Sequence, residues 1–219
     1  MKLVHPHISV FIDFSLSDNY QLVIESPTEF FGKITELYNQ INGGEGNFVL
    51  SDSNEIIDIS KNIVIITDYI DFSLNTKKNL SEVNSIMLSN LKKNDFSEEL
   101  SKINSQIFNL NDALADLSML PVEYNELTNE TLVKLSSYYF DDSLSLPQKI
   151  STYAKLLCYN KKTKVMVFVN LPDFLSMEDI NLLIKDINYN SLKILFINSH
   201  LYDIKSVKNI IVDKDLCVI

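Results

Sequence analysis

Arginine is absent from this chain of 219 residues, so all 19 of its basic residues are lysines, against 29 acids and a formal net charge of −10. Arginine is the usual bidentate partner of guanine and of phosphate. A chain without it is a poor candidate for reading DNA sequence. Lysines can still contact phosphate without base readout, provided the fold gathers them on one surface. Glycine is scarce too, at four residues, and three of them sit in Asn42-Gly43-Gly44-Glu45-Gly46-Asn47. A phosphate-binding loop follows a strand and opens a helix, so that backbone N–H groups meet the anion. This cluster does the reverse and lacks a Gly-Lys-Ser/Thr ending, which predicts a plain turn. There are two cysteines. Cys158 and Cys217 each lie in an apolar stretch and are expected to be buried free thiols in a reducing compartment. No apolar run approaches the roughly 20 residues that span a bilayer. Met1 to Pro6 has no signal-peptide character, so a cytoplasmic protein is expected.

What is present begins with Lys161 to Asp203. Two apolar runs, Val165 to Val169 and Leu192 to Ile197, flank an amphipathic stretch from Ser176 to Ile187. That spacing predicts a parallel strand–helix–strand unit. Near the start, Ile8 to Phe14 and Tyr20 to Glu25 read as strands joined by Ser17-Asp18-Asn19. Ser26-Pro27-Thr28-Glu29 is a helix-start signal, and the apolar spacing runs from Phe30 to Ile41. Asn47 to Leu50, Glu55 to Ile59 and Ile63 to Thr67 read as further strands.

From Thr76 to Leu157 the periodicity is helical. Leu80, Val83, Met87, Leu88 and Leu91 make one stripe. Leu100, Ile103, Ile107, Leu110, Leu114 and Leu117 make another. Pro121 interrupts, Leu127 to Leu135 resumes, and a last helix is expected from about Leu146 to Tyr159. The chain thus reads as an α/β domain with a parallel sheet, residues 1–74 and 160–219, split by an all-helical insertion over 75–159.

No catalytic signature stands out. The position of a phosphate loop, Glu25 to Glu29, has no glycine and two carboxylates, which repel phosphate. The strand Val165 to Val169 runs into Asn170, with Asp173 beyond Pro172, where a magnesium-holding strand would end in Asp or Glu. His5, His7 and His200 have neither metal spacing nor a nucleophile context and are expected at the terminus or surface. An acidic group around Pro121 comprises Asp112, Asp116, Glu123, Glu126 and Glu130. A helix break between acidic faces offers both carboxylates and free carbonyls, the oxygen donors Ca²⁺ takes. On the residues alone a solvated acidic face is the favoured reading of the same group.

The wording of KKTKVMVFVNLPDFLSMEDINLL, LKILFINSHLYD and IIVDKDLCVI, with Gln21 to Ser26 and Lys61 to Asn75 in the first half, resembles the Csn-two family of CRISPR adaptation proteins from subtype II-A systems. The resemblance implies a P-loop-NTPase-like head without a nucleotide site and no enzymatic activity. It implies a homotetrameric ring whose channel takes double-stranded DNA ends during spacer acquisition in antiviral defence. It also implies structural calcium in the helical part, near Val122 to Glu126. Implied partners are the CRISPR integrase and the RNA-guided effector nuclease. Under this reading the channel lysines are expected to be Lys134 and Lys149, with Lys77, Lys78, Lys161 and Lys162 behind them. Two other classes stay open on the residues alone: a degenerate P-loop-like ATPase or hydrolase, and a helical adaptor with no nucleic-acid role.

Overall fold

The computed structural model describes residues 1–119, 123–160 and 162–219. The chain divides into two compact units, Met1–Ser73 with Asp142–Ile219, and Leu74–Asp141.

The first unit is built on two sheets. Strands β1 (Lys2–His5), β2 (Val10–Asp13), β4 (Val49–Asp52) and β5 (Glu55–Ile57) form an antiparallel sheet in the order β2-β1-β4-β5. Strands β3 (Asn19–Ile24), β6 (Ile63–Ile66), β7 (Val165–Val169), β8 (Lys193–Asn198) and β9 (Lys208–Val212) form a parallel sheet in the order β6-β7-β8-β3-β9. The segments 8–14 and 20–25, read from the sequence as strands joined by a polar turn, belong to different sheets. Strand β3 instead pairs with β8 and β9, both from the far end of the chain.

Parallel strands covered on both faces need apolar side chains on both, and the sequence supplies them. Val165, Val167, Leu195 and Ile197 pack on one face with Tyr20, Leu22, Ile24 and Leu37. Met166, Phe168, Ile194 and Phe196 pack on the other with Ile150, Ile180, Ile184 and Ile187. Helix α1 (Pro27–Ile41) covers the first face. It opens with Pro27 in its first turn, where the missing N–H costs nothing. It closes at Asn42, with Gly43 at φ +88° and the Gly44 N–H on the Asn39 carbonyl at 2.8 Å. Gly43 lies in the left-handed region that glycine enters freely, so the glycine cluster is a helix stop, as the sequence predicts. A short helix, α2 (Ile59–Asn62), is capped by Asp58.

Helix α7 (Met177–Tyr189) covers the second face. Ser176 caps it, its hydroxyl accepting the Asp179 N–H at 3.1 Å. Ile180, Leu183, Ile184 and Ile187 are its buried residues, the three–four spacing of one helical face. Each such burial contributes about 1.5–3 kcal/mol. The strand–helix–strand unit expected from 165 to 197 is therefore present.

Helix α6 (Leu146–Asn160) corrects the expected boundary. Periodicity assigned it to the helical insertion. Its Ile150 and Ala154 are fully buried against Phe168, Phe196 and Ile184, and the Ser151 hydroxyl donates to Asp186 of α7 at 2.9 Å. It is a helix of the α/β unit, and the junction lies near residue 142. A helical pattern does not say which apolar surface the helix will meet.

The second unit holds α3 (Lys77–Lys93), α4 (Ser97–Ser118) and α5 (Asn129–Leu135). Thr76 caps α3 and Thr128 caps α5. Val133 is the buried residue of α5. The segment after α4 is tied back onto it. Asn104 bonds both backbone groups of Leu127, and the Tyr124 hydroxyl reaches the Phe108 carbonyl and the Asp112 carboxylate. The helix break expected at Pro121 lies outside the described residues. Helix α4 itself ends at Ser118, with Met119 in the left-handed region.

Candidate functional site

In open α/β sheets ligands sit beyond the carboxyl ends of the strands, where the connections diverge. Here that point is between β3 and β8. The connection from β3 to α1 is two residues, Glu25 and Ser26. The Glu25 N–H is bonded to the Val212 carbonyl at 3.0 Å. So short a link cannot wrap a phosphate chain.

The neighbouring strand ends are tied into a polar network. Gln21 is fully buried, and its amide holds both backbone groups of Tyr202: Nε2 donates to the carbonyl at 2.9 Å and Oε1 accepts the N–H at 3.1 Å. Gln21 Nε2 also donates to Asn209, and Gln21 Oε1 accepts from Asn198 at 2.8 Å. Asn170 ends β7 in the left-handed region, and its Oδ1 accepts the Ser199 N–H at 2.9 Å. Asp173 accepts the Tyr202 hydroxyl. Burial first, and then this bond, push the Tyr202 phenol well above its ordinary range. Through Gln21, Asn170 and Asp173 these bonds tie the start of the β8–β9 crossover, at Ser199 and Tyr202, to β3 and to the segment after β7. His200 is exposed and packs on the Tyr202 ring at 4.3 Å.

His5 corrects another expectation. It is fully buried, not superficial. Its Nε2 lies 3.1 Å from Glu36, which also accepts from Lys33 at 3.2 Å and from the Asn47 backbone and side chain at 2.7 and 2.8 Å. Burial opposes ionisation of Glu36, but these bonds outweigh it and hold the carboxyl at about 2. Burial lowers the His5 imidazole, with Lys33 adding to it. His7 is exposed. The cysteines differ from expectation as well: Cys217 is exposed and Cys158 only half-buried.

The candidate lysines lie in separate settings. Lys77 and Lys78 are exposed and occupy the first turn of α3, which carries no acid. Cations there oppose the helix dipole, so the position adds positive potential to positive potential. Lys134 is bound to Glu130 at 2.8 Å, one helical turn away. Lys149 lies half-buried on α6, so it belongs to the α/β unit and not to the helical one. Lys162 is exposed, and Lys161 lies outside the described residues.

The acids do not come together as a compact set. Among the described residues no group of three or more His, Cys, Asp or Glu is close enough to share one ion. Asp112 is engaged by Tyr124. Lys134 first, and then the charge of Lys92, lower the Glu130 carboxyl. Asp116, Glu123 and Glu126 are exposed.

The family model described as CRISPR-associated protein (Cas_Csn2) matches residues 40–216. The chain belongs to the Csn2 family. One solved structure, of Stu0660 from Streptococcus thermophilus, aligns with a TM-score of 0.54 at 16% identity, covering 90% of this chain and 68% of that one. At that identity the likeness is one of fold. For a Csn2-family chain, membership implies a role in CRISPR adaptation. No helix among the described residues is long and apolar enough to cross a membrane.

Proposed function

We propose that this Csn2-family chain is a non-enzymatic, ring-forming protein that binds the ends of double-stranded DNA during acquisition of new spacers. Contact is between lysine and phosphate, without base readout, and the duplex is held by enclosure in a homotetramer. Calcium is structural, held by oxygens of the helical unit. The CRISPR integrase and the RNA-guided nuclease are the partners. Family membership is the single observation that carries the reading.

Three features support it. The chain has no arginine, which suits sequence-independent contact. The paired Lys77 and Lys78 add to the positive end of α3, and such a helix start attracts phosphate. The two-residue link after β3, where a nucleotide cradle would need room, suits a fold that has kept a sheet without its chemistry. With a net charge of −10, contacts are few per subunit and multiplied by symmetry.

The test is competition between linear and closed circular duplex of one sequence and length. Linear DNA is expected to bind and the circle to compete poorly. Equal competition by the circle overturns enclosure, and no binding of either overturns the DNA role.

A further inference from the structure

The first strand runs into His5-Pro6-His7. Proline fixes its own φ and holds the residue before it extended. His5 is accordingly extended, at φ −140° and ψ 113°, and Pro6 opens a short 3-10 turn, Pro6–Ile8, that carries His7. The turn sets the two imidazoles side by side, with centroids 5.7 Å apart and planes inclined at 59°. The His5 ring lies inside the protein and the His7 ring is exposed. A spacing of two residues is not that of a metal pair on a helix, but the turn does what a helix would do.

The His5 ring is held by two neighbours. Phe48 packs edge-on to it, with centroids 4.5 Å apart, and Nε2 lies 3.1 Å from Glu36. Glu36 also receives bonds from Lys33 and, twice, from Asn47. It therefore stands as a carboxylate, which only accepts, and Nε2 carries the hydrogen. The other ring nitrogen, Nδ1, is buried and has no hydrogen-bond partner. A hydrogen there would make a buried cationic donor with nothing to receive it, so Nδ1 presents a lone pair.

An imidazole that gives its N–H to a carboxylate and keeps a bare lone pair on the other nitrogen is arranged as a metal ligand. The carboxylate fixes the tautomer, sets the ring and makes the free nitrogen more basic. His7 supplies the second ring. With metal–nitrogen bonds of about 2.0–2.1 Å, two imidazoles on one tetrahedral ion have centroids about 5 Å apart. The observed 5.7 Å is close to this, and an exposed side chain changes rotamer readily. The His7 side is also the way in from solvent.

The donors select the ion. Imidazole suits zinc, copper and nickel, whereas calcium takes oxygen. Among the described residues no third His, Cys, Asp or Glu joins the pair around one ion. Water takes the remaining positions, which makes the site exchangeable, unlike a closed four-ligand structural site.

We propose that His5 Nδ1 and His7 form a two-histidine site for a borderline divalent metal ion such as zinc, with Glu36 as the positioning residue behind His5. The site lies within the α/β unit and is independent of the DNA and calcium contacts proposed above.

The experiment titrates zinc calorimetrically into the untagged, chelator-treated full chain and into His7→Asn and His200→Asn variants. Nitrogen NMR of the histidine rings is recorded alongside. Before zinc is added, His5 is expected as the tautomer protonated at Nε2. Zinc is expected to bind as one ion per chain and to move the His5 Nδ1 resonance while Nε2 keeps its hydrogen. His7→Asn should lose this binding with an unchanged far-UV circular dichroism spectrum, since the His7 ring is exposed already. His200→Asn should keep it, and a large excess of calcium should leave zinc in place. Three results each overturn the site: no zinc uptake by the wild type, equal uptake by His7→Asn, or a zinc response confined to His7 with His5 Nδ1 unmoved. Displacement of zinc by calcium overturns the assignment of the metal class.

Discussion

Lys164 and Asp52 join the two sheets of the α/β unit: the lysine Nζ lies 2.6 Å from the Asp52 carboxylate. Lys164 stands at the entry to β7 in the parallel sheet, and Asp52 at the end of β4 in the antiparallel one. The hydrogen bond to Lys164, then its charge, holds the Asp52 carboxyl below its ordinary value. The N-terminal amine adds a third charge at 3.9 Å. Both side chains are partly exposed, so screening limits the gain. Asp52→Asn is expected to cost less than about 1 kcal/mol at moderate salt, and less still at 1 M salt. Urea unfolding at the two salt concentrations measures both. A cost that grows with salt would assign the link to packing instead of charge.

The His5–Glu36 pair predicts acid sensitivity in two windows. His5 is neutral in both states above its ordinary value of 6.5. Below that the unfolded chain takes a proton that the folded chain resists, so stability declines as pH falls from about 6.5. Glu36 has an ordinary value of 4.5 and sits at about 2 when folded. Its contribution is complete above 4.5 and is lost as pH falls from 4.5 to 2. Glu36→Gln should cost about 1–3 kcal/mol at pH 7, because Lys33 and buried His5 lose a charged acceptor. It should also flatten the lower window. Thermal midpoints from pH 8 to pH 3 check this, and an unchanged lower window would mean Glu36 titrates normally.

For DNA, Lys77→Glu with Lys78→Glu, and Lys149→Glu with Lys162→Glu, are each expected to weaken duplex binding across all sequences. Each phosphate contact removed should reduce the slope of log K against log salt by about 0.9. Lys134 calls for a gentler change. Reversal would set two acids one turn apart, beside Glu130, and strain a helix of seven residues. Lys134→Gln tests its phosphate contact without that repulsion. Binding and slope that stay constant through all three variants would remove these lysines from the interface.

For calcium, chelation is expected to lower both the assembly mass and the thermal midpoint, and Glu123→Gln with Glu126→Gln should reproduce the effect. Within one chain no three acids meet among the described residues, so an ion would draw oxygens from backbone or from another subunit as well. Native mass with and without chelator decides it. Indifference to both treatments makes the acids a solvated face.

Features that depend on local pattern are legible along the chain. Continuous apolar runs marked β7 and β8, and three–four spacing marked α7. Gly43 marked the stop of α1, because left-handed backbone is a property of one residue and its neighbours. Tertiary structure alone decided the rest, since each remaining feature needs partners far apart in sequence. Helix α6 reads like the insertion helices and joins the α/β core only because Phe168 and Ile184 await it. His5 looks terminal and is buried because Glu36, 31 residues on, accepts its ring. Cys217 lies in an apolar stretch and yet faces solvent, where the chain end folds back on β9 through Val212 and Val218. Lys134 and Glu130 needed only one helical turn to meet, but whether a surface lysine faces its own acid or a phosphate is settled by where the helix points, and apolar periodicity carries no information about that.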